Sequence, residues 1–344
     1  MTEPSTSSRP AERERAGARL RWARATAGDP ALALERASAD AGFRSYWRAR
    51  RGDGGSLVLM DSPPALEDVR PWLRIRDLLD AGGVRVPRVL ARDVQAGFLL
   101  LEDLGAATCL QALAAGDARP DAVFEAAVGQ LLRLQAIAPP DDLPDYDAAL
   151  LTRELRLFDE WFLGRHLGLA LDCAALETLE GVYRRLVDAA LAQPRVLVHR
   201  DFMPRNLMPV DDGPAVLDFQ DAVRGPLAYD PLCLFKDAFL SWPQADVERW
   251  LRDYHARARA AGLPVPDWQR FERDLDWIGV QRHLKVIGIF ARLRHRDGKP
   301  GYLADVPRFL GYLDEVLPKY PELTALGALI DARVRPAMAQ AQPA

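Results

Sequence analysis

The stretch V-L-V-H-R-D-F-M-P-R-N-L-M, Val196 to Met208, decides how this chain is read, together with A-V-L-D-F-Q-D, Ala215 to Asp221. A short β-branched run ends in His199, Asp201 follows two residues later, and Asn206 five after that. A second apolar run then delivers Asp218. Phosphoryl transfer from ATP asks for three such oxygen-bearing side chains. One carboxylate orients the attacking hydroxyl and accepts its proton, while an amide oxygen and a second carboxylate hold Mg²⁺ on the phosphates. The order predicts Asp201 as the base and Asn206 and Asp218 as metal ligands on two adjacent strand ends, since hard cations take oxygen donors. The plain alternatives are a loop carboxylate capping a turn and an ordinary loop amide. All three in sequence favour a kinase.

Composition sets the frame. The chain has 344 residues, 49% of them hydrophobic, enough to fill two cores of ordinary size. Its formal net charge of -4 carries no nucleic-acid footprint. Cys109, Cys173 and Cys233 are far apart and odd in number, which suggests neither a disulfide framework nor a zinc site and fits a reduced compartment. No apolar run approaches the length of a membrane helix, and the opening M-T-E-P-S-T-S-S-R-P-A-E-R-E-R lacks the apolar region of a secretory signal. The expectation is a cytoplasmic protein with no membrane or nucleic-acid partner. Without heptads or an obvious interface run, it is expected to be a monomer.

Residues 1–18 read as a disordered tail rich in Ser, Pro and charge, followed by a short basic helix over Arg19–Thr26. From Leu34 the pattern turns to strands: a hairpin with its turn at Arg51–Gly55 ends at Met60. After Pro63-Pro64, Trp72, Ile75, Leu78 and Leu79 fall at helical spacing, and Gly82-Gly83 stops the helix. V-P-R-V-L-A-R-D and A-G-F-L-L-L-E-D-L-G give two more strands. Past Gly105 helical periodicity dominates: Asp121–Ala138, Leu151–Leu167, Ala174–Leu191, Asp246–Ala261, Trp268–Arg294 and Pro307–Leu317. The predicted architecture is α+β and two-lobed. A small antiparallel-sheet N-lobe over residues 19–104 meets a larger helical C-lobe over 105–344, with a hinge near Glu102–Gly105.

H-R-D-F-M-P-R-N with L-D-F-Q-D resembles the catalytic and metal segments of the aminoglycoside phosphotransferase/choline kinase-like family, relatives of protein kinases. The usual His-Gly-Asp is His199-Arg200-Asp201 here. A longer set is similar to the bacterial N-acetylmuramate/N-acetylglucosamine anomeric kinases: D-A-G-F-R-S-Y-W-R, V-L-M-D-S-P-P, G-F-L-L-L-E-D-L-G, H-R-D-F-M-P-R-N-L-M and L-D-F-Q-D-A-V-R-G-P-L-A-Y-D, from about Ala39 to Asp230. That resemblance implies a protein-kinase-like fold and an ATP- and Mg²⁺-dependent enzyme. The substrate it implies is a small amino sugar, phosphorylated at its C1 hydroxyl in peptidoglycan recycling. An aminoglycoside or other small-alcohol kinase, or a non-catalytic nucleotide-binding regulator, are the alternatives.

In that frame further residues gain expected roles. His199 props the catalytic loop, and Asp230 buttresses it. Arg205, inside the loop, is a candidate for neutralising the transferred phosphoryl group, against simple solvation. Asp221 either touches metal or substrate or caps the next segment. Gly42, Phe43 and Arg44 occupy the place of a phosphate-covering turn, with Arg44 able to pair an oxygen; an ordinary hairpin turn is the alternative. Glu102 and Leu104 lie where adenine would meet hinge backbone. One departure stands out. The lysine that relatives carry on the third strand is replaced by Met60, and the only lysines are Lys236, Lys285, Lys299 and Lys319. Phosphate charge then falls to Mg²⁺, backbone amides, or an arginine such as Arg44 or Arg48. Trp161, Trp242, Trp268, Trp277 and Tyr302 read mainly as helical core. The basic run Arg282, His283, Lys285, Arg292, Arg294, His295 and Arg296 reads as a solvated face or as a partner for a sugar carboxylate.

Overall fold

The N-lobe sheet is apolar on both faces, and its covers explain why. In this computed structural model, which describes residues 8–39, 43–52 and 54–341, helix α1 spans Ser8–Ala27. Strands β1 (Ala33–Ala39), β2 (Ser45–Arg50) and β3 (Ser56–Asp61) follow, then helix α2 (Arg70–Ala81) and strands β4 (Val89–Asp93) and β5 (Phe98–Glu102). The sheet order is β1-β2-β3-β5-β4, every pair antiparallel. The expected β2–β3 turn closes with Arg51 N–H donating to Gly55 O at 2.9 Å.

Side chains alternate across a strand. Leu59, Phe98 and Leu100 turn to α1, where they pack with Trp22 and Ala23. Met60, Leu99 and Leu101 turn the other way and join Trp72, Ile75 and Leu79 of α2 in the main core. With both faces covered, the strands read as nearly continuous apolar runs.

Helix α1 corrects the expected tail. It starts at Ser8, well ahead of Arg19. Arg15 and Arg19 grip Asp61 at 2.6 and 2.8 Å, Arg19 lies 3.6 Å from the Trp47 ring centroid, and Trp22 meets Phe98 at 5.6 Å. These partners sit on the sheet, so local composition does not advertise the helix.

In the C-lobe, α3 (Cys109–Ala115) was not expected from periodicity; a capping box between Thr108 and Gln111 starts it. Then come α4 (Pro120–Ala136) and α5 (Ala148–Leu157), which runs on as a π-helix over Phe158–His166, and α6 (Cys173–Leu191). Four short strands follow: β6 (Arg195–Val198), β7 (Leu207–Met208), β8 (Ala215–Val216) and β9 (Val223–Pro226). Helices α7 (Tyr229–Phe235), α8 (Gln244–Ala260), α9 (Trp268–Asp297) and α10 (Val306–Val316) complete the lobe's main body. Helix α9 crosses α5 at Gly288, where a Cβ would come within 2.3 Å of the Leu157 carbonyl carbon. Among the described residues no helix is long and apolar enough to cross a membrane.

Candidate active site

The strands that deliver Asp201 and Asp218 are not neighbours, contrary to the sequence expectation. Strand β6 pairs with β9, and β7 with β8. One bond joins the two strand pairs instead, His199 Nε2 meeting Leu217 O at 2.9 Å, while Leu217 N–H donates to Asn206 O at 2.8 Å and extends the β7–β8 ladder. His199 therefore acts as a spacer. Its Nδ1 accepts the Asp201 N–H at 3.2 Å while its other nitrogen holds the residue before Asp218. Fully buried Phe202 anchors the loop beneath, edge-on to the His199 ring at 5.8 Å.

The backbone is bent where the chemistry is placed. Among the described residues the only non-glycine positive φ values are 76° at Arg200 and 62° at Asp218. Left-handed backbone at such residues persists only where the surroundings over-determine it, and it clusters at active sites. Asp230 supplies the restraint at Arg200: its two oxygens accept the N–H groups of His199 and Arg200 at 2.7 and 3.0 Å. Burial pushes the Asp230 carboxyl up to about 6, against the two N–H groups that favour its ionised form.

Asp201 itself is exposed. Asn206 donates from Nδ2 to Asp201 O at 2.9 Å, which leaves Oδ1 as the atom it offers to a cation. Asp218 accepts from Gln220 Nε2 at 2.9 Å and lies 3.7 Å from Arg44 Nη2. The next residue, Phe219, is fully buried and meets Trp72 of α2 at 5.1 Å, tying this segment to the N-lobe. An amide oxygen and one carboxylate are few ligands, but Mg²⁺ commonly takes the remainder from substrate phosphates and water. The donor set fits that cation.

Behind the loop lies a buried charge network that the sequence reading did not find. Arg200 Nη2 pairs with Glu154 Oε1 at 2.5 Å, and Lys285 Nζ pairs with the same oxygen at 3.0 Å. Tyr146 OH donates to the other oxygen, and Gln281 Nε2 reaches it at 3.3 Å. Burial pushes the Glu154 carboxyl up, yet the charges of Lys285 and Arg200 outweigh it and hold it below its ordinary range. Lys285 and Arg282 are buried, as is His283, whose ring packs on Tyr312 at 5.0 Å. The first half of the basic run thus faces inward and is no solvated surface.

The remaining candidates are spread around the cleft. Gly42 lies outside the described residues. Phe43 is exposed, and its N–H donates to Glu67 Oε2 at 3.3 Å. Arg44 is buried, its Nε 3.2 Å from Glu67 Oε1. Glu67, just ahead of α2, had no signal beyond being an acid near a helix start. The Glu102 carboxylate is held by Arg85 and Arg88, and Asp103 by Arg48 at 2.6 Å. These pairs brace the segment after β5 from its side chains, and Leu104 there is half-buried. Arg205 stacks on Phe239, its guanidinium 5.0 Å from the ring centroid.

A family model described as "Phosphotransferase enzyme family" matches residues 33–272, from the first strand into α9. The chain belongs to the phosphotransferase enzyme family. Among curated relatives of this phosphotransferase, the N-acetylmuramate/N-acetylglucosamine kinase of Pseudomonas putida is 55% identical over 88% of both chains. The proteins of the same name from Pseudomonas aeruginosa and Neisseria meningitidis are 52% and 46% identical, over 88% and 86% of this chain and 88% of theirs. Among solved structures, choline kinase from Streptococcus pneumoniae superposes with a TM-score of 0.58 at 14% identity, covering 83% of this chain and 94% of its own. An ADP-bound aminoglycoside phosphotransferase gives 0.56 at 16% identity, covering 85% and 96%. At such identities the likeness establishes the fold, a two-lobe protein-kinase-like α+β architecture.

Proposed function

We propose that this phosphotransferase is an ATP- and Mg²⁺-dependent kinase that places phosphate on the anomeric C1 hydroxyl of N-acetylmuramate and N-acetylglucosamine. Recovery of amino sugars from peptidoglycan is the setting that substrate pair suggests. The observation that carries the chemistry is the joint placement of Asp201, Asn206 and Asp218 around the His199 spacer. The substrate class is supported by the printed names of relatives that are 46–55% identical over most of both chains.

Asp201 orients the sugar hydroxyl and accepts its proton as the bond to phosphorus forms. Its main-chain N–H on His199 and main-chain O on Asn206 fix where that carboxylate starts from. Mg²⁺, held by Asn206 Oδ1 and the Asp218 carboxylate, would supply neutralising charge on the phosphates. Leu104 backbone is proposed for adenine, the Phe43–Arg44 turn for phosphate, and Arg205, on Phe239, for the loop's second positive charge.

The test is product analysis. Incubation with ATP, Mg²⁺ and each sugar should yield a product whose ³¹P–¹H coupling places phosphate on C1. Phosphate on another hydroxyl would refute the C1 assignment, and turnover of an aminoglycoside alone would refute the substrate class.

A further inference from the structure

The missing β3 lysine leaves a definite gap. Met60 stands in its place, fully buried, and every lysine of the chain lies beyond residue 235. We infer that Arg44 takes over that lysine's task, contacting the α and β phosphates of the nucleotide, and that Glu67 is the positioning residue that holds it there. This rests on the nucleotide-dependent reading above.

The placement is the first support. Tyr46 pairs directly with Met60 across the β2–β3 ladder, and both join the core on the α2 side of the sheet. Arg44 immediately precedes β2, and its contacts with Glu67, just ahead of α2, and with Asp218 bring its side chain to that face. The cation has moved one strand over while still serving the same space. Its reach is the second support. Nη2 lies 3.7 Å from Asp218 Oδ1, so the guanidinium borders the carboxylate proposed to face metal and phosphate.

A buried guanidinium needs partners, because an unpaired buried charge is costly. Arg44 is 7% exposed, and Glu67 and Asp218 are the carboxylates beside it. One Glu67 oxygen lies 3.2 Å from Arg44 Nε, and the other accepts the Phe43 N–H at 3.3 Å. A single carboxylate therefore fixes both the turn's backbone and the arginine's heading. This ion pair beside α2 parallels the lysine–glutamate pair that protein kinases need in place for activity.

The neighbouring arginines are committed elsewhere. Arg48 donates to both Asp103 oxygens at 2.6 and 3.0 Å and to Gly105 O at 2.7 Å. Arg85 and Arg88 hold Glu102, and Arg15 and Arg19 hold Asp61 under α1. Arg44 also brings a planar fork suited to two phosphate oxygens at once, which a lysine lacks.

The experiment titrates ATP, ADP and adenosine into the full chain and into Arg44→Ala, Arg44→Lys, Glu67→Gln and the Arg44→Ala/Glu67→Gln double variant. Arg44→Ala should weaken ATP and ADP by roughly ten- to a hundredfold, the range of a charge-assisted hydrogen bond, and leave adenosine unchanged. Arg44→Lys should keep more ATP affinity than Arg44→Ala. Glu67→Gln should show a smaller loss with the same selectivity for phosphate, and the double variant should be no worse than Arg44→Ala. Equal weakening of adenosine, or undiminished ATP affinity in Arg44→Ala, overturns the assignment. A wild-type chain that binds ATP no better than adenosine would instead overturn the nucleotide reading beneath it.

Discussion

On the C-lobe side of the cleft, Asp201 and Asp218 ride on backbone whose shape is imposed from below. Asp230 ties two consecutive N–H groups, His199 spans the two strand pairs, and Glu154 neutralises Arg200 and Lys285 under the loop. On the N-lobe side, Arg44 is placed by its ion pairs with Glu67 and Asp218 just ahead of β2. The C-lobe groups are preorganised before any ligand arrives, which is how an active site avoids reorganisation cost during the reaction. Arg44, proposed for the phosphates, is held through its side chain by two carboxylates. One side is braced through its backbone, the other through a side chain.

The sharpest way to break this contrast is to remove the proposed base. Asp201→Asn should lower kcat by about 10²- to 10⁴-fold with nucleotide affinity retained, as read by steady-state kinetics and calorimetry. A parallel loss of ATP binding would mean that Asp201 serves the nucleotide instead.

The second effect concerns stability. Glu154→Ala strands two buried cations and should cost about 3–5 kcal/mol in urea unfolding. Glu67→Gln keeps an amide oxygen beside Arg44 and leaves Asp218 3.7 Å away, so it should cost less, about 1–2 kcal/mol. If the two losses proved equal, the claim that the C-lobe side is the more rigidly built would fail.

The smallest effect follows pH. Asp230 sits at about 6, above the 3.8 ordinary for an aspartate. As pH falls through 6 it gains a proton, one oxygen stops accepting, and the loop loses a tie, so kcat/KM should drop on the acid side of about 6. Its share of stability has the opposite sign. A folded-state value above the unfolded one makes that share largest below 3.8 and lost as pH rises through about 6. An acid limb unchanged in Asp230→Asn would assign the drop to another group.

Much of this was legible in the chain because the information is local. Asp201, Asn206 and Asp218 sit within a few turns of one another, and their order alone predicts three oxygens in one place. The apolar runs of β3 and β5 and the spacing of Trp72, Ile75 and Leu79 predict the N-lobe sheet and its helix. What stayed hidden depends on partners distant in sequence. A run with Arg282, His283 and Lys285 reads as a basic surface until Glu154 and Tyr229 are seen waiting for Lys285. Glu67 is one acid among many until Phe43 and Arg44 fold against it. Helix α3 is a different case, since Thr108 and Gln111 carried a capping signal that periodicity overlooked.

Helix α1 precedes the residues that the family model matches, which begin at position 33. It nevertheless roofs Leu59, Phe98 and Leu100, and its two arginines latch onto Asp61. Boundaries drawn by similarity would therefore cut away a piece of the fold. A chain trimmed to the matched range would turn an oily sheet face and an orphaned carboxylate towards water, and such faces invite aggregation. For this protein the unit that folds is larger than the unit that is recognised.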